Sequence, residues 1–95
     1  MTAPAYAWLP DLPVRAVIPE IADALARNCP VVLQAPPGSG KTTLVPPALM
    51  DAPWLGRRRI VLLEPRRLAA RAAARRMAHL LGEAVGDRIG YHIRL

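Results

Sequence analysis

The sequence predicts an α/β fold, a parallel sheet with helices packed on its faces, and three observations predict it. Short β-branched runs, "PVVLQA", "RIVLLEP" and "RIGYHIRL", alternate with stretches of helical pattern. A glycine-rich turn, "PPGSGKTT", stands between the first run and a helical stretch. The longest helical pattern lies between the second and third runs, where a crossover connection is needed. Strands that alternate with helices imply parallel pairing with right-handed crossovers.

The elements follow in order. "MTAPAYAWLPDLP" (residues 1–13) is proline-rich and reads as an irregular lead-in, with Trp8 and Leu9 packing back onto the domain. "IPEIADALARN" reads as a helix. Pro19 suits the first turn, where a missing N–H costs nothing. Glu20 lies near the positive helix end. Ile18, Ile21 and Leu25 share a face, and Asn28 can close the C-terminus. "PVVLQA" is bounded by Pro30 and Pro36 and reads as a buried strand. After the glycine turn, "KTTLVPPALM" predicts one or two helical turns from Gly40. A break follows near Val45, because Pro46 and Pro47 cannot sit in an undisturbed helix interior. "DAPWLGRR" is a loop and "RIVLLEP" a second buried strand. "RRLAARAAARRMAHLL" is a helix of about four turns, with Gly82 as its stop. "RIGYHIRL" alternates Ile89, Tyr91, Ile93 and Leu95 against Gly90, His92 and Arg94, the pattern of a third strand with one face buried.

Composition narrows the function. The chain has 95 residues and 53% hydrophobic content, but 17 of its residues are alanine and none is phenylalanine. Such a chain buries a modest core and reads as one small or incomplete domain. The one cysteine, Cys29, excludes an internal disulfide and a cysteine-based metal cluster. It fits a reducing compartment, and the expected location is the cytoplasm. No basic, then apolar leader is present, and no window reaches the length of a membrane span. His79 and His92 have no second ligand spaced for a metal.

Charge is divided unevenly. Residues 1–56 carry three basic and four acidic side chains, whereas residues 57–95 carry ten arginines against Glu64, Glu83 and Asp87. The second half is a candidate surface for a polyanion, against the plainer reading of an arginine-rich solvated face. Arg67, Arg71 and Arg75 form a stripe at i, i+4 and i+8. For Arg71 and Arg75 the solvated face is the favoured reading. Glu64 ends an apolar run as a Walker B acid does, but Pro65 follows directly, and it reads as structural or as a partner for a neighbouring arginine.

Lys41 is the one lysine in a chain with twelve arginines. It sits in Gly38-Ser39-Gly40-Lys41-Thr42-Thr43, after a predicted strand and before a predicted helix, the context of a Walker A loop. Glycines let the backbone curl so that successive N–H groups face phosphate oxygens. A lysine reaches the β- and γ-phosphates as a compact charge on a flexible stem, whereas the wider arginine fork does not fit. Thr42 offers its hydroxyl to Mg²⁺. The expected ligand is therefore Mg·ATP. The full pattern has glycine at its first position, and this chain has Ala35.

Three separated stretches resemble, in order, the opening of a DEAH-type superfamily 2 helicase, and within that family the bacterial HrpB group. They are "APPGSGKTTLVPPAL", "IVLLEPRRLAARAAARRMAHLLGE" and "VGDRIGYHIRL". The resemblance extends from "LPVRAVIPEIADAL" onward. It implies that residues 1–95 are the N-terminal portion of the first RecA-like domain of a P-loop NTPase. It further implies ATP and Mg²⁺ at Gly38, Ser39, Gly40, Lys41, Thr42 and Thr43, with Lys41 and Thr42 catalytic. Pro65, Arg66 and Arg67 match the "PRR" segment that in this family touches the nucleic-acid backbone. Arg76 falls where relatives place an arginine that stacks on adenine; from the residues alone it is an arginine at a core edge. Gly90, Tyr91, Ile93 and Arg94 match the family's "GYxIR" strand. Where relatives often carry glutamine, this chain has Pro47.

The implied partners are ATP, single-stranded nucleic acid (RNA ahead of DNA) and the remainder of a helicase core, with no membrane. The family's acidic Walker B segment, its motif III and its second RecA-like domain have no counterpart in these residues, so the 95 residues alone are expected to be inactive. Two readings of other classes stand beside this one: a small P-loop kinase for a nucleotide or metabolite, and a non-catalytic basic nucleic-acid-binding domain.

Overall fold

A computed structural model describes residues 6–93. The chain divides into two compact units, Met1–Arg59 and Ile60–Leu95, and each is described by itself.

The first unit is built on prolines. Leu12 is extended (φ −102°, ψ 157°), as the residue before a proline prefers. Pro13 then opens a 3-10 turn, Pro13–Val17, which runs directly into α1, Ile18–Ala26, with Pro19 in its first turn. Asn28 closes α1 in the left-handed region at φ 64°. The Asn28 N–H donates to Leu25 and the Cys29 N–H to Ala24, which satisfies two terminal carbonyls in a Schellman arrangement. Ile18 and Ile21 form the buried face of α1, and Leu25 is half-buried.

The glycine turn leads to α2, Val45–Leu49. Leu44 N–H bonds the Gly40 carbonyl at 2.8 Å, so one helical turn does form from Gly40. Pro46 and Pro47 have no N–H to return to Thr42 and Thr43, so that turn does not propagate. A new helix begins at Val45 with the prolines in its first turn, where they are tolerated. A second 3-10 turn, Pro53–Leu55, follows. The core of the unit is Leu9, Val14, Ile18, Leu44 and Ala48, and it joins the lead-in and α1 to the segment after the glycine turn. Leu9 packs inward as expected, whereas Trp8 is exposed.

The second unit is organised by α3, Arg67–Leu80. It buries Ala73, Ala74, Met77 and Ala78 and leaves its arginines exposed. Gly82, at φ 69°, ends it as expected: the Gly82 N–H bonds His79 and the Glu83 N–H bonds Ala78. Glu83 then holds the following turn through its carboxylate. Arg88 donates to it from both its backbone N–H, at 3.1 Å, and its guanidinium, at 3.0 Å.

The predicted sheet is the principal correction. Among the described residues no strand is formed by residues 30–35, 59–65 or 88–93. Val32 is 96% exposed and Leu63 86%, the opposite of buried strands. Of the third run, Ile89 is buried but Tyr91 is exposed, so its alternation does not define one covered face. Arg94 and Leu95 lie outside the described residues, as does the beginning of the lead-in. The reason is physical: β-branched composition records a fit to a pleated, half-covered surface, not a backbone preference. Without a neighbouring strand to exchange hydrogen bonds, the pattern alone holds no strand.

Candidate phosphate loop and basic surface

The loop in the first unit takes its shape from glycine. Gly38 and Gly40 have φ of 82° and 97°, a region open to glycine at little cost. At Gly40 there is a second constraint. A Cβ there would collide with the Leu44 side chain and lie 3.1 Å from Leu12 Cδ1, whereas at Gly38 it would meet nothing. The Ser39 N–H turns back to the Pro36 carbonyl at 3.2 Å. Among the described residues the N–H groups of Gly40, Lys41, Thr42 and Thr43 donate to no backbone carbonyl. Four successive free donors suit an anion with several oxygens.

Lys41 is exposed, and its Nζ donates to the Ala35 carbonyl at 2.7 Å. The ammonium thus lies against the first residue of its own loop, at the position where the full pattern has glycine. Thr42 and Thr43 are half-buried. Ser39 is 2% exposed, and its Oγ has no hydrogen-bond partner. One expectation needs amendment. The helix after the loop, α2, has five residues and starts at Val45, so the free N–H groups belong to a single turn and not to the N-terminus of a sustained helix.

The second unit carries the basic cluster. Arg66 is the extended N-cap of α3 and Arg67 its first residue, with no side-chain cap on the helix. They are therefore placed by the helix start that the sequence predicts, with no strand formed by the residues just before them. Arg66, Arg67 and Arg71 line a concavity of about 700 Å³ together with Leu68, Ala69 and Ile93. Arg75 does not line it, so the stripe read from the sequence is divided: Arg71 joins the pair and Arg75 does not. Arg76 is exposed on α3.

Acids pair elsewhere. Asp11 holds Arg15, Asp23 holds Arg27 and Glu83 holds Arg88, each at 3.0 Å. Among the described residues, none of the arginines from 57 to 76 pairs with a carboxylate, and Glu64 forms no ion pair. Arg58 is held by backbone instead, donating to the carbonyls of Leu55 and Trp54. The expected partnership of Glu64 with a neighbouring arginine is thus not found. His79 and His92 are exposed, and among the described residues no group of three His, Cys, Asp or Glu side chains could hold a metal ion. No helix among them is long and apolar enough to cross a membrane.

Two features of the loop escaped the sequence: the buried, unpartnered hydroxyl of Ser39 and the Ala35 carbonyl as the resting partner of Lys41. Neither has a local signature, because each depends on where the chain folds back.

Comparison with known proteins agrees with the resemblance seen in the three motifs. Over 84 residues the chain is 50% identical to the ATP-dependent RNA helicase HrpB of Escherichia coli (strain K12), covering 88% of this chain and 10% of that protein. It is 36% identical over 87 residues to the DExH-box ATP-dependent RNA helicase DExH6 of Arabidopsis thaliana, covering 88% of this chain and 7% of the relative. It is 39% identical over 84 residues to the ATP-dependent RNA helicase DHX33 of Drosophila melanogaster, covering 88% and 12%. The chain therefore spans about a tenth of the length of the curated relatives it matches. No protein-family model matches the chain, and no solved structure does.

Proposed function

We propose that this chain is the N-terminal portion of the first RecA-like domain of a longer DEAH-type ATP-dependent RNA helicase, and that the loop at residues 38–43 binds the phosphates of Mg·ATP. The observation that carries the reading is the run of four free N–H donors behind two positive-φ glycines, beside Lys41, in a chain similar to helicases over most of its length.

The residues fit the ligand. The N–H groups of Gly40, Lys41, Thr42 and Thr43 accept no internal load and can each donate to a phosphate oxygen. Lys41 exchanges the Ala35 carbonyl for the β- and γ-phosphates. A charge-assisted bond to an anion is stronger than one to a neutral carbonyl, so the exchange is favourable. The Thr42 hydroxyl would hold Mg²⁺, which when bound neutralises charge on the phosphates. Arg76, on the resemblance, stacks on adenine. Arg66 and Arg67 hold the backbone of a single strand, a role supported by their shared concavity and by the lack of carboxylate partners. The acid and the second domain that phosphoryl transfer requires come from outside these residues. The proposed setting is the cytoplasm, supported by the single cysteine, Cys29, which fits a reducing compartment.

The test is ATP hydrolysis by the full-length protein. Lys41→Ala abolishes turnover while the fold survives, because Lys41 is exposed and makes one bond to its own loop. Lys41→Arg is also severely impaired, since the planar fork is wider than the ammonium. Wild-type hydrolysis by Lys41→Ala would overturn the assignment.

A further inference from the structure

The loop is held from a distant part of the chain. The Val14 N–H, in the 3-10 turn before α1, donates to the Ser39 carbonyl at 3.1 Å. Leu12 Cδ1 lies against Gly40, 3.1 Å from where a Cβ would stand. Val14 and Leu44 belong to one buried cluster with Leu12 packed on it, and Ser39 is itself buried. Leu12 and Val14 are thus in contact with the two residues at the centre of the loop.

Geometry gives that contact a consequence. The Ser39 carbonyl and the Gly40 N–H are two ends of one peptide group. The group is planar, and no peptide bond of the described chain is cis, so the two point in opposite directions. Whatever fixes the carbonyl fixes the N–H. Val14 fixes the carbonyl, and the Gly40 N–H is left donating to no backbone carbonyl. Without the Val14 bond this peptide could rotate, because the rotation changes ψ of Ser39 and φ of Gly40, and a glycine tolerates either sign of φ.

We propose that residues 12–14 are a positioning element for phosphate binding: the Val14 N–H sets the Ser39–Gly40 peptide, and Leu12 closes the other side, so that the Gly40 N–H is presented to a nucleoside-triphosphate oxygen. This rests on reading residues 38–43 as the phosphate loop. Val14 and Leu12 do not touch the ligand and act through the loop.

The experiment replaces the Val14 N–H by an ester oxygen in the full-length protein, using the α-hydroxy analogue of valine, which keeps the side chain and removes the donor. Affinity for a fluorescent ATP analogue is measured beside the melting temperature. Loss of one hydrogen bond to an oriented donor is expected to weaken binding about fivefold, with single-strand affinity in the absence of nucleotide unchanged. Val17→Ala is the structural control. Val17 packs on the same cluster but makes no bond to the loop, so its variant melts earlier and binds the analogue as wild type does. Wild-type affinity in the ester variant would overturn the proposal. Lys41→Ala is run alongside: if it too binds as wild type, the phosphate-loop reading has failed, whereas loss in Lys41→Ala with none in the ester variant removes the positioning role alone.

Discussion

Gly38 and Gly40 both curl the loop but are not equivalent in the structure, and alanine at each should separate them. Both have positive φ, 82° and 97°. A side chain there costs about 1–3 kcal/mol of backbone strain. Gly38→Ala incurs only that, because its Cβ would face open space. Gly40→Ala also drives a methyl into Leu44 Cδ1 and against Leu12. Leu44 is fully buried, so it has no free direction in which to turn. Overpacking of this kind costs about 1–3 kcal/mol more. In the free protein the loop relieves both by opening, and ligand binding must restore them. The penalty therefore appears in affinity: about 5- to 150-fold for Gly38→Ala at about 1–3 kcal/mol, and about 30- to 20,000-fold for Gly40→Ala at about 2–6 kcal/mol in total. The assay is equilibrium titration of the full-length variants with a fluorescent ATP analogue and Mg²⁺. If Gly38→Ala binds as weakly as Gly40→Ala or more weakly, close packing of Leu12 and Leu44 is not what fixes the loop.

Two further outcomes are expected. Replacing Arg66 and Arg67 together by alanine in the full-length protein lowers single-strand affinity by a similar factor on unrelated sequences, since phosphate contacts position a strand without reading it. A plot of log affinity against log salt flattens by ~0.7 per lost contact, and parallel lines of wild-type slope would reduce the pair to a solvated helix start. Residues 1–95 alone show no ATP turnover with or without single-stranded RNA, because the acid and the opposing domain used in phosphoryl transfer are absent from this stretch. Turnover by the purified 95-residue chain would refute that.

What the sequence makes legible here is what the chain decides within a few residues. Asn28 and Gly82 end their helices because left-handed residues let two N–H groups return to carbonyls within the last turn. Pro46 and Pro47 interrupt the turn from Gly40 because two specific donors are missing, and no distant contact can supply them. The curl of the loop at Gly38 and Gly40 is of the same kind. The runs at residues 30–35 and 59–65 are different. Their β-branched side chains specify a surface that needs covering, and Val32 and Leu63 stand uncovered among the described residues. A strand is a property of at least two segments, so its pattern can be legible where its structure is not. The basic cluster falls between these cases. Arg66 and Arg67 were legible as a pair, but the exclusion of Arg75 and the inclusion of Arg71 required the curvature of the surface around α3. The same distinction orders the loop itself. Its donors and its lysine are local and carry the motif, whereas the bond from Val14 and the close approach of Leu12 come from a segment that precedes α1. A substitution in residues 12–14 would look remote from the motif, yet it acts on the peptide that orients the Gly40 N–H. On the proposed reading the motif supplies the groups that would meet the phosphates, and residues 12–14 set the direction of one of them, the Gly40 N–H.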